Sequence, residues 1–362
     1  MKSKIGISNS KNVSSAVQEA TASFQNPQAI IFMTSYNLLE ATAKEIKEKF
    51  PNAQSIGSSG TMFAQGKLYE TGLVIMALEE IVSAVAGIVP HLSTCPIADV
   101  MKIEQNIAKV APGREDTVCI EFCTNDEEKY VTTMNAGLRK HKIALIGGTV
   151  FGYPSDVAGQ VACNGQVTSD AACYLFVKNK GKAKVYKQNI YGKMNVTPHI
   201  ATKVDIKTKE LIELDHRPAA EVYGQELGIS KDKIVDNVLQ NPMGRILGED
   251  VYISSMHTMK PNGALLNYKR INRNDTIYFL DLLEYTEIMA DTVREIQNDF
   301  HKISAVVSVD CIYRYLLMQR DHSLQQYLDK MSKLGPHIGI VGGGEQYNEQ
   351  HVNQTMVCAV FE

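Results

Sequence analysis

The chain resembles itself three times over, and that repetition constrains its fold more than any other feature. Ala29-Ile30-Ile31-Phe32-Met33-Thr34-Ser35 is an apolar run that ends in small polar residues. An amphipathic stretch follows, with Leu38, Leu39, Ala41, Ile46 and Phe50 apolar, then Ser55-Ile56-Gly57-Ser58-Ser59-Gly60 and the strand-like Leu73-Val74-Ile75-Met76-Ala77-Leu78. The order returns with Thr117-Val118-Cys119-Ile120-Glu121-Phe122-Cys123, a helical stretch at 126–140, Ala144-Leu145-Ile146-Gly147-Gly148 and Ala171-Ala172-Cys173-Tyr174-Leu175-Phe176-Val177. It returns again with Ala305-Val306-Val307-Ser308-Val309-Asp310-Cys311 and a helical stretch containing Leu324, Tyr327, Leu328 and Met331. Gly339-Ile340-Val341-Gly342-Gly343-Gly344 and Met356-Val357-Cys358-Ala359-Val360-Phe361 close this third copy. Short apolar runs bounded by glycine read as strands buried on both faces. Each copy therefore predicts strand, helix, strand, glycine turn and return strand.

Buried runs alternating with helices give an α/β class, mixed sheets covered by helices. Strands at 72–79 and 81–89 and a helical stretch at 97–110 precede the second copy. Strands at 251–255 and 276–282 and a helical stretch at 284–302 precede the third. The correspondence predicts two related domains: 1–185, a junction at 186–216, and 217–362. A chain of 362 residues has the length for two or three domains, and its 44% hydrophobic residues supply their cores.

The 37 basic and 40 acidic residues nearly balance, which removes the charge footprint of a nucleic-acid binder. No eighteen apolar residues run together, so no membrane span is expected, and the start of the chain has no signal-peptide pattern. Seven scattered cysteines without Cys-x-x-Cys spacing read as buried free thiols of a reducing compartment, and the expected location is cytoplasmic.

Glycines at strand ends let backbone amides point into a shared space, where small anions or carboxylates bind. Gly147, Gly148, Gly343 and Gly344 are candidates for this role, and tight turning is the alternative. Nucleotide motifs fail. Gly60 to Lys67 has one residue too many for a phosphate loop, and Leu68 stands where a hydroxyl must hold magnesium. No His/Cys/Asp/Glu grouping has metal-ligand spacing.

Several segments resemble the FIST (F-box and intracellular signal transduction) sensory family. Gly147-Gly148 through Gly159-Gln160-Val161 and Asn164-Gly165-Gln166-Val167 resemble the close of its N-terminal domain. Glu213-Leu214-Asp215-His216-Arg217-Pro218-Ala219-Ala220-Glu221-Val222-Tyr223 resembles its junction signature, with His216 where the family has Gly or Asn. Val309-Asp310-Cys311 with Arg314, and Gly342-Gly343-Gly344-Glu345-Gln346-Tyr347 with His351 to Met356, resemble elements of its C-terminal domain. The resemblance implies an intracellular sensor of a small molecule, such as an amino acid or related small carboxylate. Two such domains would fill the chain from end to end. Its output is then expected in a separate partner: a kinase, a cyclic-dinucleotide enzyme or a chemoreceptor module.

The C-terminal constellation supplies the matching chemistry. Arg314 would clamp a carboxylate, Glu345 would hold an ammonium, and Asn353 and Thr355 would line a neutral rim beside Cys311. A structural ion pair between Arg314 and Glu345 is the alternative. Cys311 with His351 would make a thiolate and its base in a second, enzymatic reading. Some family members are haem-containing nitric-oxide sensors, which makes His199, His216, His257 and His351 axial candidates. No cofactor is otherwise expected. Tyr186, Tyr191, Tyr223 and Tyr268 read either as lining a cleft between the domains or as packing.

Overall fold

A computed structural model describes residues 1–362. All three copies form, and they share one pattern of pairing. Ala29–Thr34 runs parallel to Gln54–Ser59 and antiparallel to Leu73–Glu79. Thr117–Cys123 stands in the same relation to Ala144–Thr149 and Ala171–Lys178. Ala305–Cys311 does so with His337–Gly342 and Thr355–Phe361. Leu39–Lys49 and Glu127–His141 make the first two crossovers, and Ile312–Arg320 with Leu324–Ser332 makes the third. The central strands have no exposed residue along their length, as continuous apolar runs require.

Between its second strand and its return strand, each copy emits a short hairpin, and none of the three stays at home. The first copy's hairpin, Met62–Ala64 with Lys67–Tyr69, pairs with the third copy's strand His337–Gly342. The second copy's hairpin, Gln160–Cys163 with Gln166–Ser169, pairs with the first copy's Gln54–Ser59. The third copy's Glu345–Tyr347 pairs with the second copy's Ala144–Thr149. The exchange closes a cycle. It yields three six-stranded sheets of one order: leading strand, return strand, first strand, second strand and a borrowed hairpin. The leading strands are Lys2–Ser8, Ser83–Pro90 and Ala183–Asn189.

One position in each second strand is fixed as glycine by close approach. A Cβ on Gly57 would lie 2.1 Å from the Phe32 ring, one on Gly147 2.0 Å from Glu121 Oε1, and one on Gly339 2.4 Å from Ser308 Oγ. Each of these three side chains is the glycine's register partner on the first strand. The borrowed hairpins place Ala162, Gln346 and Phe63 on the other side of the same glycines.

The compact units do not follow the linear division at 186–216. Met1–Gln188, Met289–His351 and Met356–Glu362 pack as one unit, and Asn189–Ile288 with Val352–Thr355 forms the other. The physical reason is the hairpin exchange. The third copy's sheet takes its edge from the first copy, so the third copy packs in one unit with the first two. The smaller unit carries a nine-stranded sheet with antiparallel pairings and the helix Ala219–Leu227. No helix in either unit is long and apolar enough to cross a membrane.

Candidate functional site

In open α/β sheets, ligands sit outside the carboxyl ends of the parallel strands. In the larger unit the turns at those ends meet. Val341 N–H donates to Thr61 O at 2.8 Å, Gly343 N–H to Thr149 O at 2.8 Å, and Thr149 N–H to Gly344 O at 2.9 Å. A Cβ on Gly60 would lie 3.4 Å from Val341 O and 3.5 Å from Phe151 O. Turns from all three copies thus converge, each within van der Waals reach of the next.

A cleft of about 340 Å³ opens at this convergence, on the strand ends of the first copy. One wall is Ser35, Tyr36 and Asn37, the entry to a short 3-10 turn that runs into the helix Leu39–Lys49. No side chain caps that turn, so its first N–H groups lack an intrahelical acceptor. Gly60, Thr61 and Thr71 form the floor with Glu70, the one carboxylate in the lining. The opposite wall, Phe151 and Gly152, belongs to the second copy. Tyr36 packs its ring on Tyr153 at 5.4 Å. The Tyr153 hydroxyl accepts from Ser59 Oγ at 2.7 Å and donates to Gln160 O at 3.1 Å. In the second copy the corresponding strand end is filled instead: Asn125 Nδ2 donates to Asp126 and Asp170, both at 3.0 Å.

The residues chosen from sequence fall elsewhere, with one exception. Arg314 is wholly buried. Its Nε donates to Asp310 Oδ1 at 3.1 Å, its Nη2 to Gln188, and its guanidinium lies 5.3 Å over the Tyr327 ring. The carboxylate on Arg314 is Asp310, so the guanidinium expected to clamp a ligand is engaged within the chain, and the alternative ion pair with Glu345 is replaced by one with Asp310. Burial pushes Asp310 up to about 6, although Arg314 and the Tyr327 hydroxyl, at 2.7 Å, both favour its ionised form. Glu345 is buried and stands opposite Gly148 in the ladder. Gly147 and Gly148 admit Glu121 and the Val309 side chain respectively, which is a packing role. Asn353 and Thr355 are buried and belong to the smaller unit. The exception is Gly343, where a Cβ would lie 3.5 Å from the Phe151 ring, beside the cleft wall. Gly344 follows it at a φ of 151°.

Sequence reasoning missed Ser35, Asn37, Glu70, Thr71 and Phe151. Their only signal was position: polar residues flanking apolar runs, and an aromatic three residues past a glycine pair.

Cys311 is 2% exposed, and His351 Nδ1 lies 3.1 Å from Gln346 Nε2. Six of the seven thiols are buried and Cys95 alone is exposed. Burial raises Cys163 to about 12 and pushes Cys119, Cys123 and Cys173 well above the ordinary thiol range. Iodoacetamide at neutral pH should therefore add one adduct, at Cys95, by intact mass. Labelling at Cys311 would contradict this and revive the thiolate reading.

The FIST N domain model matches residues 28–217, and the FIST C domain model matches residues 219–348. The chain belongs to the FIST family. FIST domains are sensory domains of signal-transduction proteins. The FIST N segment contains the first two copies and the FIST C segment most of the third, so the family boundary cuts across the compact larger unit. No curated protein matches the chain. A solved structure of PurLQS from Thermotoga maritima aligns over 99% of this chain and 71% of its own, at 9% identity and a TM-score of 0.19, too low to bear on the fold.

A haem iron would need a histidine nitrogen facing an apolar slot. His199 gives Nδ1 to Asp215 at 2.6 Å and has Glu226 3.9 Å from Nε2. His216 is exposed on a turn, His257 stacks on Tyr268 at 4.6 Å, and His351 is buried against Gln346. His216, His257 and His351 do not fit an axial role, and at His199 the buried Nε2, which makes no hydrogen bond, has the Glu226 carboxylate beside it rather than an apolar slot. Tyr186, Tyr191 and Tyr223 are buried and donate to Asp299, Leu239 O and Asn241 O, so they act as packing tyrosines.

Proposed function

We propose that this FIST protein is an intracellular sensor whose small ligand sits in the cleft between Ser35–Asn37 and Phe151–Gly152. The observation that carries the reading is the convergence of three glycine turns around a cleft whose walls come from two copies. Filling it would fasten the first copy to the second, which couples occupancy to the arrangement of the turns. The ligand class is an amino acid or related small carboxylate. Uncapped N–H groups at Ser35–Asn37 suit a carboxylate, Glu70 suits an ammonium, and Tyr36 and Phe151 suit an apolar side chain. The bound state is passed to a separate signalling protein: a kinase, a cyclic-dinucleotide enzyme or a chemoreceptor module.

A thermal-shift screen over the common amino acids and small carboxylates tests this reading. A true ligand at a hundredfold excess over its Kd adds about 2.7 kcal/mol of stability. Glu70→Gln should weaken an amino-acid ligand about tenfold, the modest end for a charged hydrogen bond at an exposed position. An affinity unchanged by Glu70→Gln would remove the ammonium from the account, and a screen without any stabiliser would remove the site.

A further inference from the structure

The junction phrase Arg217-Pro218-Ala219-Ala220-Glu221 takes no part in the strand-end cleft. It builds a second one. Within the smaller unit, a cleft of about 350 Å³ lies between the start of the helix Ala219–Leu227, the segment Ile229–Ile234 and the turn Pro261–Gly263. That volume lies within the range of small-ligand pockets, about 300–1,000 Å³.

Backbone bonds hold the three segments, so the cleft does not depend on mobile side chains for its shape. Ala220 N–H donates to Gly263 O at 3.0 Å, Ile229 N–H to Gly224 O at 3.0 Å, and Gly263 N–H to Lys260 O at 2.9 Å. Gly224 is the residue in this helix least suited to helix formation, by about 1 kcal/mol relative to alanine. A Cβ there would lie 3.2 Å from Ile229 O and 3.5 Å from Ile234 Cδ1, so glycine lets the second wall close on the helix.

The lining is apolar at Pro218, Ala220, Ile229, Ile234 and Pro261, and its charges are unequally committed. Glu221 is already neutralised: Arg217 Nη2 donates to its Oε1 at 2.8 Å, and Gln225 Nε2 lies 3.3 Å from the same oxygen. Asn262 Oδ1 accepts from Ala264 N–H at 3.1 Å. Lys231, on the other wall, is exposed and makes no ion pair, and its neighbour Asp232 takes its hydrogen bonds from Ser230 and its own backbone. The cleft thus combines a hydrocarbon body with one uncommitted cation.

We propose that this cleft binds a compact apolar carboxylic acid, with its carboxylate on Lys231 and its hydrocarbon on Ile229, Ile234, Pro218 and Pro261. The inference stands apart from the strand-end cleft, because it rests on other residues in the other unit. Phenylacetate is a suitable probe, with phenylacetamide as its uncharged counterpart, followed by amide chemical shifts of the full chain. Phenylacetate should shift residues 217–234 and 261–263 and bind at least about tenfold more tightly than phenylacetamide. Lys231→Glu, on an exposed side chain, should abolish the shifts while leaving the remaining spectrum intact. Glu70→Gln should leave them unchanged. Equal binding of acid and amide, an unchanged affinity in Lys231→Glu, shifts confined to other residues, or no shift at about 10 mM probe would each overturn the proposal.

Discussion

Replacing Arg314 with methionine is expected to destabilise the protein by about 3–5 kcal/mol at pH 8, the usual cost of stripping a buried ion pair of one partner. Arg314 and Asp310 are both fully buried, and the pair sits one turn apart where the third copy's first strand passes into its helix. Methionine would fill much of the volume. It would not replace the bonds to Asp310 and Gln188 or the contact with the Tyr327 ring. Asp310, already raised to about 6 by burial, would rise further without the guanidinium and fold only in its neutral form. An acid whose folded pKa is raised loses stability as pH climbs from its unfolded pKa, about 3.9, towards the folded value. The penalty in Arg314→Met should therefore shrink at pH 5 and grow to pH 8. Asp310→Asn combined with Arg314→Met should recover most of it, because a neutral pair needs no counter-charge. Urea melts of the three proteins at two pH values read the effect. A loss below 1 kcal/mol at pH 8 would mean that the ion pair is dispensable.

Glu121→Gln should stabilise the protein, and by more as pH rises. Glu121 is wholly buried on the second copy's first strand, its carboxyl lies against Gly147, and neither oxygen has a hydrogen-bond partner. Around it face Glu127 and Tyr130 of the covering helix, and Cys119, Cys123 and Cys173 on the sheet. Burial, reinforced by Glu127, pushes its pKa well above the carboxylate range. The unfolded chain then releases this proton at about pH 4.3 while the folded chain keeps it, so wild-type stability falls as pH rises through that window. The slope from one such group is at most about 1.4 kcal/mol per pH unit. Glutamine has the same shape and no proton to lose. The two proteins should be close at pH 4.5 and diverge by several kcal/mol by pH 8, with Glu121→Gln the more stable. Parallel profiles from pH 4.5 to 8 would show that Glu121 is ionised and satisfied in the folded state.

The repeat was legible because its core strands are buried on both faces. Ala29–Thr34, Thr117–Cys123 and Ala305–Cys311 carry that burial as unbroken apolar runs. The exchange of hairpins was not legible. Met62–Ala64 and Lys67–Tyr69 are three residues each, too short to show a period, and nothing local says that their partner is His337–Gly342, far along the chain. The expected junction at 186–216 rests on the linear order of the copies, which carries no trace of which strands pack together. Arg314 was visible as a residue worth explaining. Its fate was set by Gln188 and Tyr327, remote positions that converge only once the sheet is built. Glu70 sits among polar turn residues where its charge has no local meaning, and the cleft acquires its second wall from Phe151, on another copy.

Hydrogen exchange with and without the ligand that emerges from the thermal-shift screen tests the sensory site most directly. The strand-end account predicts added protection at 35–38, 60–61 and 150–153, together and in proportion to occupancy. Protection confined to 189–288, or spread evenly over the chain, would contradict it.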